Sequence, residues 1–255
     1  MSQIPRIIHY CWFGHKPLPE SALKCIASWQ KFFPDFEIKE WNEENFDVRS
    51  IPYTSQAYDA KKYAFVSDYA RFKILYEYGG IYFDTDVEVI KSFDDIIRRG
   101  PFMGFEIDFK GGDASWTGCV APGLGLGVNP GLGLFGELLD IYSKISFINP
   151  DGTYNLKTIV KYTTECLQQN GLKCRTGIQE IAGITIYPKE YFNPLDDNTG
   201  RLTITSNTHS IHWYSKTWLN ENTFRRKIAR LSHRIFGVNF ILSIRRFFKI
   251  PANIS

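Results

Sequence analysis

The chain has 255 residues, of which 44% are hydrophobic and 22% charged; that suffices for one large packed domain or two small ones and excludes a collagen-like or disordered chain. Five cysteines (Cys11, Cys25, Cys119, Cys166, Cys174) contain no Cys-x-x-Cys, which argues for reduced thiols and against a disulfide frame or a structural zinc site. The net charge of +3 is unevenly spread: residues 222–255 carry eight Lys or Arg and no acid, so the preceding body is net acidic and nucleic acid is not expected as a partner.

Taken in chain order, RIIHYCWF at 6–13 is rich in β-formers and precedes Gly14, which predicts a first strand. Residues 19–33 have helical apolar spacing and stop at Pro34, and FEIKEW at 36–41 predicts a second strand. A long helical pattern at 61–78 ends at Gly79, a favourable residue just past a helix. Short strands are expected at 81–83 and 102–105, helices at 131–145 and 156–169, and strands at 184–187 and 210–213. The glycine-rich stretch 111–136 predicts loops around a site, and its Gly125, Gly127 and Asn129 are candidates for lining an acceptor side. Strands alternating with helices predict an α/β protein with a mostly parallel central sheet flanked by helices. No window nears the roughly 18 apolar residues that span a bilayer. The start, MSQIPRIIHY, lacks a signal-peptide pattern, which predicts a cytoplasmic protein.

The most informative stretch is GGIYFDTDVEVI, from Gly79 to Ile90. An apolar run there ends in Asp84 and Asp86, which would share one face of an extended chain. Two carboxylates on one face suit a hard divalent cation such as Mg²⁺ or Mn²⁺, and open α/β sheets bind ligands beyond the C-terminal ends of their strands. An Asp-x-Asp triplet alone also arises by chance in a chain of this length. The preceding helix adds Asp68 and Arg71, at i and i+3 on a face shared with Ala64 and Leu75; the pair is either a structural ion pair or part of the same cleft.

The whole segment SDYARFKILYEYGGIYFDTDVEVI resembles the signature of glycosyltransferases with an Asp-x-Asp sugar-binding motif, in particular glycosyltransferase family 32, which holds capsular-polysaccharide enzymes and initiating mannosyltransferases; it is more distantly similar to the glucosylating bacterial toxins. IPRIIHYCWFG near the start and NTHSIHWYSKTW near the end resemble the family's first strand and closing segment, so the likeness runs in order from about Ile4 to Trp218. It implies a GT-A-type nucleotide-diphospho-sugar transferase fold over residues 1–220, with 221–255 as a basic amphipathic helical tail. Trp12 would lie under the nucleotide base, Asp68 and Arg71 would hold sugar hydroxyls and a phosphate oxygen, and Asp84 would contact the ribose or the sugar. Asp86 would bind Mn²⁺ or Mg²⁺ with His212 as a second ligand, and Trp213 and Trp218 would close over the donor. His9 matches a family position, but on a strand it is expected to make a structural hydrogen bond. The glycine-rich run departs from the family's Asn-bearing strand at this point.

The resemblance implies a metal-dependent, retaining hexosyltransferase that takes its sugar from a nucleotide-diphosphate donor, with UDP-hexose favoured over GDP-mannose. The acceptor would be a glycan, expected to be lipid-linked in capsular or O-antigen polysaccharide synthesis. No carboxylate stands out as a covalent nucleophile, which favours same-face attack with the departing phosphate as base. In the tail, Phe224, Ile228, Leu231 and Ile235 line one helical face flanked by arginines, which predicts an anchor on an anionic membrane surface and hence the cytoplasmic face of the membrane; packing on the domain is the alternative. Two other functions are open to the residues alone. A phosphohydrolase of nucleotide diphosphates would want a richer two-metal cluster than this sequence shows, and a non-catalytic carbohydrate-binding module would need no diphosphate site.

Overall fold

The computed structural model of the chain describes residues 4–109 and 118–215. The 220/221 boundary, the basic tail and Trp218 lie outside the described residues.

The first half runs β1 (Ile7–Cys11), α1 (Glu20–Phe32), β2 (Glu37–Trp41), α2 (Pro52–Asp59), α3 (Tyr63–Tyr78), β3 (Gly80–Tyr82), β4 (Val87–Val89), α4 (Asp94–Arg98) and β5 (Phe102–Ile107). The second half adds β6 (Cys119–Ala121), β7 (Leu126–Val128), α5 (Gly133–Ser143), α6 (Ile159–Gln169), β8 (Gln179–Ile181), β9 (Ile184–Tyr187), α7 (Lys189–Phe192) and β10 (Ser210–His212). The described residues form an eight-stranded sheet in the order β2-β1-β3-β7-β5-β9-β8, with β6 paired to β5. Strands β2, β1, β3, β5 and β9 run one way; β7, β6 and β8 run the other. A separate two-stranded sheet joins β10 to β4.

Both faces of the large sheet are buried, as a mostly parallel sheet requires. Along β5, Met103 and Phe105 enter one core with Tyr82, Leu126 and Ile186, and helices α2, α3, α5 and α6 cover that side. Phe102 enters the other, with Ile8, Tyr10, Phe83 and Tyr187, under α1, α4 and α7. Period-two alternation thus feeds two cores from single strands. The expected α/β class with helices flanking a central sheet is what the chain adopts.

Three expectations change. The stretch read as loops contains β6 and β7, and β7 fills the middle of the sheet between β3 and β5. Its glycine content hid it, yet Gly127 has a structural reason: a Cβ there would run into the Phe102 ring. Gly127 is therefore a packed sheet position, not the lining of an acceptor site. α2 was not expected, although Pro52 at its first turn is a helix-start signal. Finally, Asp84 and Asp86 are not alternate residues of an extended strand. They sit in a turn closed by the Val87 N–H donating to the Asp84 carbonyl at 3.0 Å.

The glycines before β3 act as expected. Gly79 (φ 64°) and Gly80 (φ 96°) both occupy the left-handed region, and Gly79 N–H donates to the Leu75 carbonyl at 2.9 Å to end α3. A Cβ on Gly80 would lie 2.6 Å from the Ile7 carbonyl of the neighbouring strand, so side chains other than hydrogen are excluded there.

Candidate donor-binding site

The residues singled out in the sequence collect at one edge of the sheet, beyond the C-terminal ends of β1 and β3. From the helix side, α3 supplies Asp68 and Arg71. Arg71 Nη2 lies 3.3 Å from Asp68 Oδ1, and Nη1 lies 3.2 Å from Asp84 Oδ1, so one guanidinium joins the helix to the Asp-x-Asp turn. The Arg71 side chain is 5% exposed and its guanidinium rests 4.7 Å from the Tyr82 ring centre. Its fork is thus taken by two carboxylates, and its evident structural work is to hold them in place. Burial pushes the Asp68 carboxyl up to about 7, against the pull of Arg71. Burial works against the charge of Arg71, yet Asp84, Tyr82 and Asp68 beside it raise its pKa further.

Asp86 is bound from the far end of the chain. β10 pairs antiparallel with β4, placing His212 opposite Val87. His212 Nε2 then lies 3.1 Å from Asp86 Oδ1, while Ser215 donates to Oδ2 from its backbone N–H at 2.8 Å and from its hydroxyl at 2.9 Å. The next residue after His212 adds two more ties: Trp213 N–H donates to the Asp86 carbonyl at 2.9 Å, and its indole N–H to Glu88 at 2.9 Å. Burial alone would raise the Asp86 pKa, but His212 and Ser215 hold it well below the usual carboxylate range. Burial likewise opposes protonation of His212, and Asp86, Asp84 and Glu106 overcome it, so the pKa of the imidazole is raised. Ligand atoms of Asp84, Asp86 and His212 all lie within 4.8 Å of one another. Two carboxylate oxygens and an imidazole nitrogen form a donor set that fits Mn²⁺ or Mg²⁺. Only the neutral ring is a ligand, so a cation bound there would compete with protonation of His212.

Two positions of the site escaped the sequence reading. Ser215 carried no signal beyond its place three residues after His212. Gly123 sits in the glycine-rich run, where its carbonyl accepts from the Asp84 N–H at 3.1 Å. A Cβ on Gly123 would collide with the Asp84 carboxylate and stand 3.1 Å from Arg71 Nη1. The other sequence candidates lie around this centre. Trp12 follows β1 at the same edge, partly buried, with its indole N–H on the Lys16 carbonyl at 2.5 Å. His9 makes structural bonds as expected, accepting from the Trp41 indole at Nδ1 (3.0 Å) and meeting the Gly79 carbonyl at Nε2 (2.9 Å). Trp213 is exposed, and Gly125 packs near Phe83. A separate hollow lined by Arg99, Asn129, Gly131, Glu180 and Thr185 opens at the opposite edge of the sheet, so Asn129 does not join the site.

Residues 19–103 match the family described as "glycosyltransferase sugar-binding region containing DXD motif". That region holds Asp68, Arg71, Asp84 and Asp86, and over it the chain is similar to the DXD-motif glycosyltransferases. Inositol phosphoceramide mannosyltransferase 3 of Schizosaccharomyces pombe is 34% identical over 99 residues, 37% of this chain and 28% of that protein. The uncharacterized glycosyltransferase L373 of Acanthamoeba polyphaga mimivirus is 33% identical over 110 residues, 39% of this chain and 42% of that one. The chain therefore spans less than half the length of these relatives. Among solved structures, the PaToxG glycosyltransferase is similar with a TM-score of 0.48 and 18% identity, covering 66% of this chain and 70% of its own. The galactosyltransferase LgtC, solved with donor and acceptor sugar analogues, gives 0.45 and 15%, covering 89% and 95%.

Proposed function

We propose that the chain is a metal-dependent, retaining glycosyltransferase of the GT-A type that moves a hexose from a nucleotide-diphosphate sugar to a glycan acceptor. The observation that carries this reading is the convergence of Asp84, Asp86 and His212 within 4.8 Å, at the sheet edge where Arg71 also orders Asp68. These three side chains would hold Mn²⁺ or Mg²⁺, which would neutralise the leaving diphosphate. Ser215 holds the Asp86 carboxylate and Trp213 its backbone carbonyl, which restrains both in the absence of a donor. Asp68, anchored by Arg71, would take a hydroxyl of the donor. Trp12 at the end of β1 would stack the base, with Trp218 closing from the other side. Same-face attack by the acceptor hydroxyl, with the departing phosphate as base, remains our mechanism.

UDP-hexose is our first choice of donor. Mannose-bearing nucleotides belong beside it, because relatives of this chain are named mannosyltransferases. A lipid-linked acceptor at the cytoplasmic face of a membrane would suit the basic amphipathic sequence of residues 222–255.

The test is nucleotide release from a panel of UDP- and GDP-sugars with Mn²⁺, in the wild type and in Asp86→Asn. One donor should turn over, and the variant should lose about a hundredfold or more of that rate, since it removes a charged ligand. Silence with every donor would sink the proposal. A glycosyl–enzyme adduct trapped on any Asp or Glu would replace the same-face mechanism by a double displacement.

A further inference from the structure

We propose that Glu106 is a further binding residue of this site, whose carboxylate accepts a hydrogen bond from a hydroxyl of the transferred sugar. The proposal rests on the donor-site reading above and adds to it a residue outside both the Asp-x-Asp turn and the matched family region, which ends at residue 103.

Three observations place it. Glu106 stands near the C-terminal end of β5, the same sheet edge as Asp84, and β5 lies two strands from β3 with only β7 between. At ordinary strand spacing that is about 10 Å, so Glu106 lies to the side of the metal-ligand cluster rather than within it. Next, the pairing of β5 with β6 runs in register through Phe105↔Val120 and then slips, with Ile107 opposite Cys119. Glu106 is the residue at that slip. Bulges bend a strand and re-aim a side chain, and they recur beside active sites.

The third observation is how the residue is held. Its backbone carbonyl accepts from Asn193 Nδ2 at 3.2 Å, and Asn193 is fully buried. The same amide donates at 2.5 Å to the hydroxyl of Tyr214, which itself interacts with the Glu106 carboxylate. Tyr214 belongs to the segment that ties down Asp86: its ring lies 4.2 Å from the His212 ring, and its φ of 51° is unusual for a side chain of that size. The Glu106 carboxylate also meets the Cys119 thiol at 3.7 Å. Among the described residues no Lys or Arg pairs with it, so its acceptor capacity is not consumed by a cation. A half-buried carboxylate fixed through its backbone, contacted by a hydroxyl and a thiol, suits a sugar hydroxyl better than a phosphate, which its charge repels.

The test compares binding of nucleotide sugars with binding of the bare nucleoside diphosphate. Calorimetric titrations with MnCl₂ would use UDP, GDP, UDP-glucose, UDP-galactose and GDP-mannose, in the wild type, Glu106→Gln and Glu106→Asp. In Glu106→Gln the nucleoside diphosphate should bind within about twofold of wild type, while the ratio of sugar-nucleotide to diphosphate dissociation constants rises about tenfold, the usual loss of a charged hydrogen bond. Glu106→Asp should recover part of that ratio, which a loss of folding could not mimic. An unchanged ratio in Glu106→Gln, or an equal loss for both ligand types, overturns the proposal for Glu106 and leaves the donor site standing. Failure of the wild type to bind any nucleoside diphosphate with Mn²⁺ overturns both.

Discussion

At the scale of single residues, two buried groups titrate in opposite senses. His9 is neutral in the fold: burial lowers its pKa to about 4, and Nδ1 is occupied as an acceptor by the Trp41 indole. A lowered pKa means that the unfolded chain binds more protons between about 4 and 6.5, so His9 removes stability as pH falls through that window. Asp68 is the reverse: its carboxyl is pushed up to about 7, so it removes stability as pH rises from about 4 to 7. Each effect is on the order of 3–4 kcal/mol at full extent. The wild type should therefore show little net slope from this pair. His9→Gln should become less stable as pH rises from 4 to 7, and Asp68→Asn more stable over the same range. Urea unfolding at pH 4.5, 5.5 and 6.5 would read the slopes; parallel curves for the two variants would contradict the assignment. Gly123 makes a second residue-scale case. In Gly123→Ala the added methyl displaces the Asp84 carboxylate, and Mn²⁺-dependent nucleotide binding should weaken by about tenfold or more. The melting temperature should move little, because the Asp84 side chain is 31% exposed and can shift.

At the scale of elements, the long apolar α3 ending at glycine was readable from sequence because a helix stop and a strand start are local events. Gly79 and Gly80 turn the chain so that β3 runs beside β1 and ends at Tyr82, two residues before Asp84. Gly80→Ala forces a left-handed φ on a residue with a Cβ and presses that atom onto the Ile7 carbonyl, so it should cost about 2 kcal/mol or more in equilibrium unfolding. A neutral result would mean that β1 and β3 can separate without loss. β7 was illegible for the opposite reason. Glycine alternates with Leu124, Leu126 and Val128 there, but glycine is a poor strand former, and the place of β7 between β3 and β5 depends on partners distant in sequence. The same holds for the turn at Asp84–Val87: alternation in an extended chain was a fair local expectation, but the closing β10 pairs with β4 and draws both aspartates toward His212.

At the scale of the whole molecule, the two ends of the sequence have different standing. Residues 4–215, apart from 110–117, carry the sheet, both cores and the candidate site. The basic stretch beyond them is proposed as a membrane-surface anchor on composition alone. Removing residues 222–255 should release the protein from vesicles containing anionic lipid, as followed by co-sedimentation, while nucleotide release from the donor stays near wild type. Undiminished vesicle binding would assign the membrane contact elsewhere or nowhere.

Sequence by itself determined the α/β class, the helix that carries Asp68 and Arg71, and the Asp-x-Asp motif with His212 as a candidate partner, though not Ser215. Those features are encoded by local periodicity, by helix-ending glycines and by a long linear signature, all of which survive without knowing the fold. Tertiary structure alone decided that one buried guanidinium joins Asp68 to Asp84, that Gly123 must lack a side chain, and that Ser215 and His212 together clasp Asp86. It also brought Glu106 beside the closing segment, through a bulge and a buried amide that no spacing in the chain announces. The physical reason is common to all of these: each contact joins residues on different elements, and its energy exists only once the sheet has set their distance.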